Sequence, residues 1–232
     1  MPNGTLKIIQ SCCTELEATN VNQLVRSVLD EYQSRLDRED PVVRKFDMSQ
    51  YVARRDDFLL GIGAETGKFL NILIKLRRPK MILEVGTSYG YSTVWIAEAA
   101  QAVGATVISL ELGGDKVSLA KEMIAKAGLE ASVEFIVGDA LEEIPTLTRT
   151  IDFALIDLWK ELYVPVFDRI YPKLGDAALV VADNIILPAM HAESAAKYTS
   201  HVRSLPGIES VTVPIGSGIE LSYYARPSGN RL

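Results

Sequence analysis

From Glu65 onward, short apolar runs alternate with amphipathic stretches. The strand-like runs are Met81–Val85, Thr106–Glu111, Val133–Val137, Phe153–Asp157 and Ala178–Ala182. Helical patterns lie between them near 91–102, 114–127, 140–148 and 161–174, the second closed by Gly128 and the last by Gly175. Phe69, Leu70, Leu73, Ile74 and Leu76 predict a further helix. It must stop before Pro79, because the residue preceding a proline is pushed out of helical geometry. Near-continuous apolar strands alternating with helices specify an α/β fold with a parallel sheet, helices on both faces. The ending differs: Val211-Thr212-Val213, a turn Pro214-Ile215-Gly216-Ser217-Gly218 and the run Ile219 to Tyr224 predict an antiparallel hairpin. Five parallel strands therefore finish in a hairpin, within one domain.

Residues 1–60 have another character. Val21, Leu24, Val25, Val28, Leu29, Tyr32 and Leu36 form one stripe of an amphipathic helix, and Asp37-Arg38-Glu39-Asp40-Pro41 reads as a charged break after it. Such a segment packs on the domain, covers a site as a lid, or joins a second copy in a homodimer. The expected division is 1–60 as an N-terminal helical segment and 61–232 as the main domain.

Composition narrows the partners. A chain that is 48% hydrophobic and 23% charged has the balance of a globular protein, which argues against disorder. The net charge of −6 disfavours a nucleic-acid partner, since phosphate binding needs clustered Lys and Arg. The basic pair Arg54-Arg55 is followed at once by Asp56-Asp57, and with Arg77-Arg78 it reads as a solvated face. Cys12 and Cys13 are adjacent, which rarely permits disulfide geometry, so a reducing cytoplasmic setting is expected. No apolar run reaches the ~18 residues that span a bilayer, and no membrane partner is expected.

The chemistry concentrates at strand ends. In Ile82-Leu83-Glu84-Val85-Gly86-Thr87-Ser88-Tyr89-Gly90-Tyr91-Ser92-Thr93 a strand passes through a glycine turn into a helix, which builds a crevice at the carboxyl edge of a parallel sheet. The glycines lack the G-x-G-x-x-G spacing. Glu111 ends the next strand, where a carboxylate can accept both hydroxyls of a ribose. No Lys or Arg sits in the turn to neutralise phosphates, so the ligand indicated is a nucleoside. The same letters spell Gly86-x-Ser88-x-Gly90, the pattern of a hydrolase elbow with Ser88 as nucleophile. That alternative needs a histidine from His191 or His201, both in a helical segment before the hairpin, and no HGGG-type segment accompanies it. A non-catalytic nucleoside-binding protein is the second alternative. Further on, Asp157 ends the fourth strand with Trp159 and Lys160 just after it, and Asp183 and Asn184 close the fifth. Neighbouring parallel strands bring those ends together, and two carboxylates with a carboxamide oxygen suit Mg²⁺.

These motifs in combination resemble the class I S-adenosylmethionine-dependent O-methyltransferases of the catechol and caffeoyl-CoA type, from about Gly61 to Tyr224. The resemblance implies a Rossmann-like methyltransferase domain with a mostly parallel seven-stranded sheet and a reversed last strand. It implies S-adenosylmethionine as cofactor, Mg²⁺ or another divalent cation, and a small aromatic diol as substrate. Glu84, Gly86, Ser88 and Ser92 would line the methionine end of the cofactor, Glu111 the ribose, and Gly61 and Ile62 another side. Ala140 would sit beside the adenine. Asp157 would serve both cofactor and metal, with Asp183 and Asn184 completing the protein ligands. Lys160 resembles the family's general base, and Trp159, Pro188 and Phe58 the apolar gate around a planar substrate. One departure concerns a further acid that orients catechol in the animal enzymes. An ungapped comparison puts Val211 there, with Glu209 two residues away.

Overall fold

The computed structural model describes residues 23–187 and 189–227. Cys12, Cys13, Val21 and Pro188 lie outside the described residues. Two helices, α1 (Gln23–Val43) and α2 (Met48–Arg54), precede α3 (Ala64–Arg77). Next come β1 (Met81–Val85), α4 (Tyr91–Val103), β2 (Thr106–Glu111), α5 (Gly114–Lys126), β3 (Val133–Val137) and α6 (Ala140–Thr146). The chain ends with β4 (Ile151–Ile156), α7 (Tyr163–Ile170), β5 (Leu174–Ala182), α8 (Ala192–Ser204), β6 (Ile208–Val213) and β7 (Ile219–Tyr224). Among the described residues the strands form one seven-stranded sheet in the order β3-β2-β1-β4-β5-β7-β6. The first five are parallel, and β7 runs antiparallel between β5 and β6. This is the α/β architecture with a reversed last strand that the sequence pattern and the family resemblance predict.

Alternate residues of each central strand feed two cores. Phe153, Leu155, Val107 and Val181 face one cluster with α3, α4 and α1. Ala154, Ile156, Leu83, Val85, Ile108 and Val180 face the other, with α7 and α8. Both faces being covered explains why these strands read as continuous apolar runs.

Three boundaries differ from expectation. Strand β5 begins at Leu174, where a helix closed by Gly175 was expected. Gly175 lies inside the strand because it passes close to β4, and a Cβ there would come within 2.9 Å of Asp152 Oδ1. Its pairing slips between Ile151 and Phe153, and Ala177 adopts a φ of +60°, which breaks the apolar pattern. Strand β4 stops at Ile156 and leaves Asp157 in the following turn. Helix α1 runs through Pro41 to Val43, beyond the expected charged break. A proline this late deprives only one carbonyl of its partner. The charged run supports the helix through spaced pairs, Gln33–Asp37 (2.8 Å), Arg35–Glu39 (2.5 Å) and Arg44–Asp40 (2.7 Å).

The stripe of α1 packs within the chain. Val25, Val28, Leu29 and Tyr32 are buried against α4 and α5. Leu24 at one margin stays exposed. Of the roles left open for this stripe, packing on the domain is the one seen: its apolar face is covered by the protein's own helices.

Candidate active site

The strand tips are fastened to one another in sheet order. Gly138 N–H donates to the Glu111 carbonyl (3.0 Å), Gly86 N–H to Leu110 (2.9 Å), Asp157 N–H to Val85 (2.9 Å) and Asp183 N–H to Ile156 (3.1 Å). One cleft of about 540 Å³ opens along this edge. Gly61, Ile62, Gly86, Ser88, Ser92, Glu111, Ala140, Asp157, Trp159, Lys160, Asn184 and Phe58 all line it, so most of the sequence-predicted residues converge. Glu84 and Asp183 lie just behind the surface, at 0% and 1% exposed.

At the β1 end, the turn is set by main chain. Gly86 has φ +103°, and a Cβ on it would fall 1.9 Å from the Asp157 carbonyl oxygen. The glycine thus admits the β4 tip. Ser88 takes a φ of +47° and donates its N–H to Glu111 Oε2 at 2.8 Å. Glu111 Oε1 accepts from Gly113 N–H at 2.9 Å. That carboxylate is thereby held rigidly, with lone pairs remaining for ligand hydroxyls. Behind the turn, Glu84 Oε2 accepts from Thr93 (2.7 Å) and Ser109 (2.6 Å), while Oε1 has no partner. Burial pushes its carboxyl up to about 7.

The second constellation joins the β4 and β5 tips. Lys160, 6% exposed, reaches Tyr163 Oη (2.5 Å), Asn184 Oδ1 (2.9 Å), the Leu158 carbonyl (3.2 Å) and Asp157 Oδ1 (3.5 Å). Burial raises the pKa of Asp157 above the carboxylate range, with Lys160 opposing. Burial and the like charge of Asp157 push Asp183 up to about 8. Asp183 Oδ1 is buried with no hydrogen-bond partner. Asn184 sits at φ +54°, aiming its carboxamide at the same spot as Asp157, where the lysine amine now bridges the two. Among the described residues no cluster of three His, Cys, Asp or Glu side chains is placed to hold a metal. The set here is two carboxylates and one carboxamide oxygen. Crowded carboxylates, an orphaned buried oxygen and an all-oxygen donor set fit a hard divalent cation.

Trp159 and Phe58 line the cleft, Phe58 packed edge-on against Phe46 at 5.3 Å. Pro188, the third expected gate residue, lies outside the described residues. The chain after Asn184 is pinned to the β6–β7 turn: Ile185 N–H donates to Gly218 O (2.8 Å), and Ile186 and Leu187 N–H to Ser217 O (3.0 and 2.9 Å). Ile186, Leu187 and Met190 expose their side chains. Val211 and Glu209 do not line the cleft, because they sit back along β6, opposite Leu221 and Tyr223; Ser217 is the residue of that segment which does. The other tryptophan, Trp95, packs on Gly67. Ser88 donates through its backbone to Glu111, and His201 pairs with Asp168 (2.7 Å); among the described residues no hydrogen bond joins Ser88 to His201 or to His191, which also lines the cleft.

Sequence reasoning offered a lid as one role of the N-terminal segment but named none of the α1 residues that wall the cleft. Leu36, Glu39, Asp40 and Val43 line the cleft, as do Tyr89, Tyr91, Asp139 and His191. The missing signal is tertiary: helical periodicity gives the face of α1 but not what that face meets. Tyr32 Oη donates to the Tyr89 carbonyl at 2.5 Å, Arg35 stacks over the Tyr89 ring at 4.3 Å, and Tyr89 Oη donates to the Asp56 carbonyl at 2.5 Å.

Comparison with known proteins follows the same lines. A family model described as O-methyltransferase matches residues 40–224. A probable O-methyltransferase of Mycobacterium tuberculosis is 32% identical over 185 residues, 75% of each chain. Catechol O-methyltransferase B of Danio rerio is 31% identical over 147 residues, spanning 60% of this chain and little more than half, 55%, of that protein. Among solved structures, the O-methyltransferase TomG from Streptomyces achromogenes in complex with SAM superposes with a TM-score of 0.71 at 21% identity. That match covers 93% of this chain and 95% of that one, and it shows a shared fold.

Proposed function

Because the chain belongs to the class I, S-adenosylmethionine-dependent O-methyltransferase family, we propose that it methylates a hydroxyl of a small catechol-like diol, using Mg²⁺ or another divalent cation. The observation that carries this reading is the meeting of Asp157, Lys160 and Asn184 in the cleft that Gly86 and Glu111 also line.

On this reading Gly61, Ile62, Gly86, Ser88 and Ser92 hold the methionine end of S-adenosylmethionine, with Glu84 buried behind them. Glu111 accepts the ribose hydroxyls, and Ala140 flanks the adenine. The cofactor supplies an electrophilic methyl on a sulfonium. Asp157, Asp183 and Asn184 hold the cation, which supplies polarisation that loosens a hydroxyl proton. Lys160 takes that proton on its nitrogen. The deprotonated oxygen would then be held in line with the methyl group that the bound cofactor would supply, its sulfur keeping the electron pair. Trp159 and Phe58 hold the ring flat, so the chain's main contribution is alignment.

A labelled-methyl assay over a panel of catechols, with and without chelator, tests this. Transfer to at least one vicinal diol is expected, and it should vanish with chelator and in Asp183→Ala. Activity that survives both would remove the cation from the reaction, and transfer to no diol would remove the substrate class. Lys160→Ala should lower kcat at least ~100-fold while S-adenosylmethionine still binds.

A further inference from the structure

Tyr163 opens α7 immediately behind Lys160 and is completely buried. Its hydroxyl donates to the Asp183 main-chain carbonyl at 2.9 Å. A carbonyl can only accept, so the single phenolic proton is committed there. The same oxygen, 2.5 Å from Lys160 Nζ, must therefore accept from the amine. The other acceptors of that amine are Asn184 Oδ1, Asp157 Oδ1 and the Leu158 carbonyl. Asp157 and Asn184 are the oxygens a cation claims. Among these partners, Tyr163 is then the side chain that stays with the amine when the cation is present.

We propose that the Tyr163 hydroxyl is a positioning residue for Lys160, holding one N–H of the amine so that the nitrogen lone pair faces the cleft. This rests on Lys160 being the base. A neutral amine has two N–H bonds and one lone pair. Tyr163 and the Leu158 carbonyl take the N–H bonds, and the lone pair takes the proton from the acceptor hydroxyl. Tyr163 keeps its own proton throughout. Without it, the amine stem rotates, and the lone pair samples directions that miss the substrate.

The test begins on the full chain with Mg²⁺ added, by ¹H–¹⁵N NMR of lysine side chains, with the Lys160 signal identified by its absence in Lys160→Gln. The wild type should show a Lys160 amine signal protected from water exchange, and Tyr163→Phe should lose it. Affinities for S-adenosylhomocysteine and for Mn²⁺ should stay within about twofold in that variant, as a purely local change requires. A wild type without the protected signal, a signal unchanged in Tyr163→Phe, or affinities that fall tenfold would each overturn the proposal. In turnover of catechol, Tyr163→Phe should lower kcat about tenfold with KM nearly unchanged, and should do nothing more in a Lys160→Ala background. Losses that multiply in the double variant would also overturn it. Full turnover in Lys160→Ala alone removes the base assignment. A protected, Tyr163-dependent Lys160 signal in the wild type then assigns that failure to the chemistry and not to the contact.

Discussion

A Cβ on Gly86 would fall 1.9 Å from the Asp157 carbonyl oxygen, and the backbone there has φ +103°, a region that residues with a Cβ rarely enter. Gly86→Ala should therefore destabilise the fold by at least about 2 kcal/mol, read by urea unfolding, and abolish S-adenosylhomocysteine binding in calorimetry. A stable variant that still binds would show that the two strand tips can part. At this scale much was legible in the sequence. Glu111, Asp157, Lys160, Asp183 and Asn184 are polar residues at or just beyond the ends of apolar strands, and parallel pairing fixes the edge they share. The role of Gly86 was half legible. A glycine after a strand signals close approach, but the neighbour, here the backbone of Asp157, is set by the sheet order.

At the scale of elements, α1 is the piece the sequence described least well. Its buried stripe was readable, yet its extent and its position over the cleft were not. Spaced ion pairs carry it past Pro41, and packing on α4 and α5 turns Leu36, Glu39 and Val43 toward the cleft. Strand β5 failed for a different reason, since Gly175 and the +60° backbone of Ala177 interrupt the pattern where pairing with β4 slips. The contact of α1 with the glycine turn is one hydrogen bond from Tyr32 to the Tyr89 carbonyl, beside the Arg35 guanidinium on the Tyr89 ring. Removing the hydroxyl in Tyr32→Phe should cost about 1 kcal/mol, seen as a roughly fivefold weaker S-adenosylhomocysteine affinity with little change in kcat. An affinity equal to the wild type would mean that α1 is a wall and does not brace the turn.

For the molecule as a whole, buried acids set how stability responds to pH. Glu84 in the folded chain releases its proton near 7, whereas the unfolded side chain does so near 4.5. Between those values the folded state binds more protons than the unfolded one, so this residue's contribution falls as pH rises and is gone above about 8. The change is on the order of 3 kcal/mol. Unfolding in urea at pH 5 and pH 8 should show Glu84→Gln gaining on the wild type by roughly that amount at the higher pH. A difference that does not vary with pH would mean that Glu84 ionises freely in its pocket.

The stretch after Asn184 is held at its backbone, by three N–H groups on the Ser217 and Gly218 carbonyls, while Ile186, Leu187 and Met190 project outward. Its course is thus set largely by main chain, with Ile186 also packed on Gly218, and exchanging the exposed Leu187 or Met190 should disturb folding by no more than about 0.5 kcal/mol each. This outer edge can therefore accumulate substitutions across generations while the strand tips beneath it, fastened by main chain, keep their arrangement.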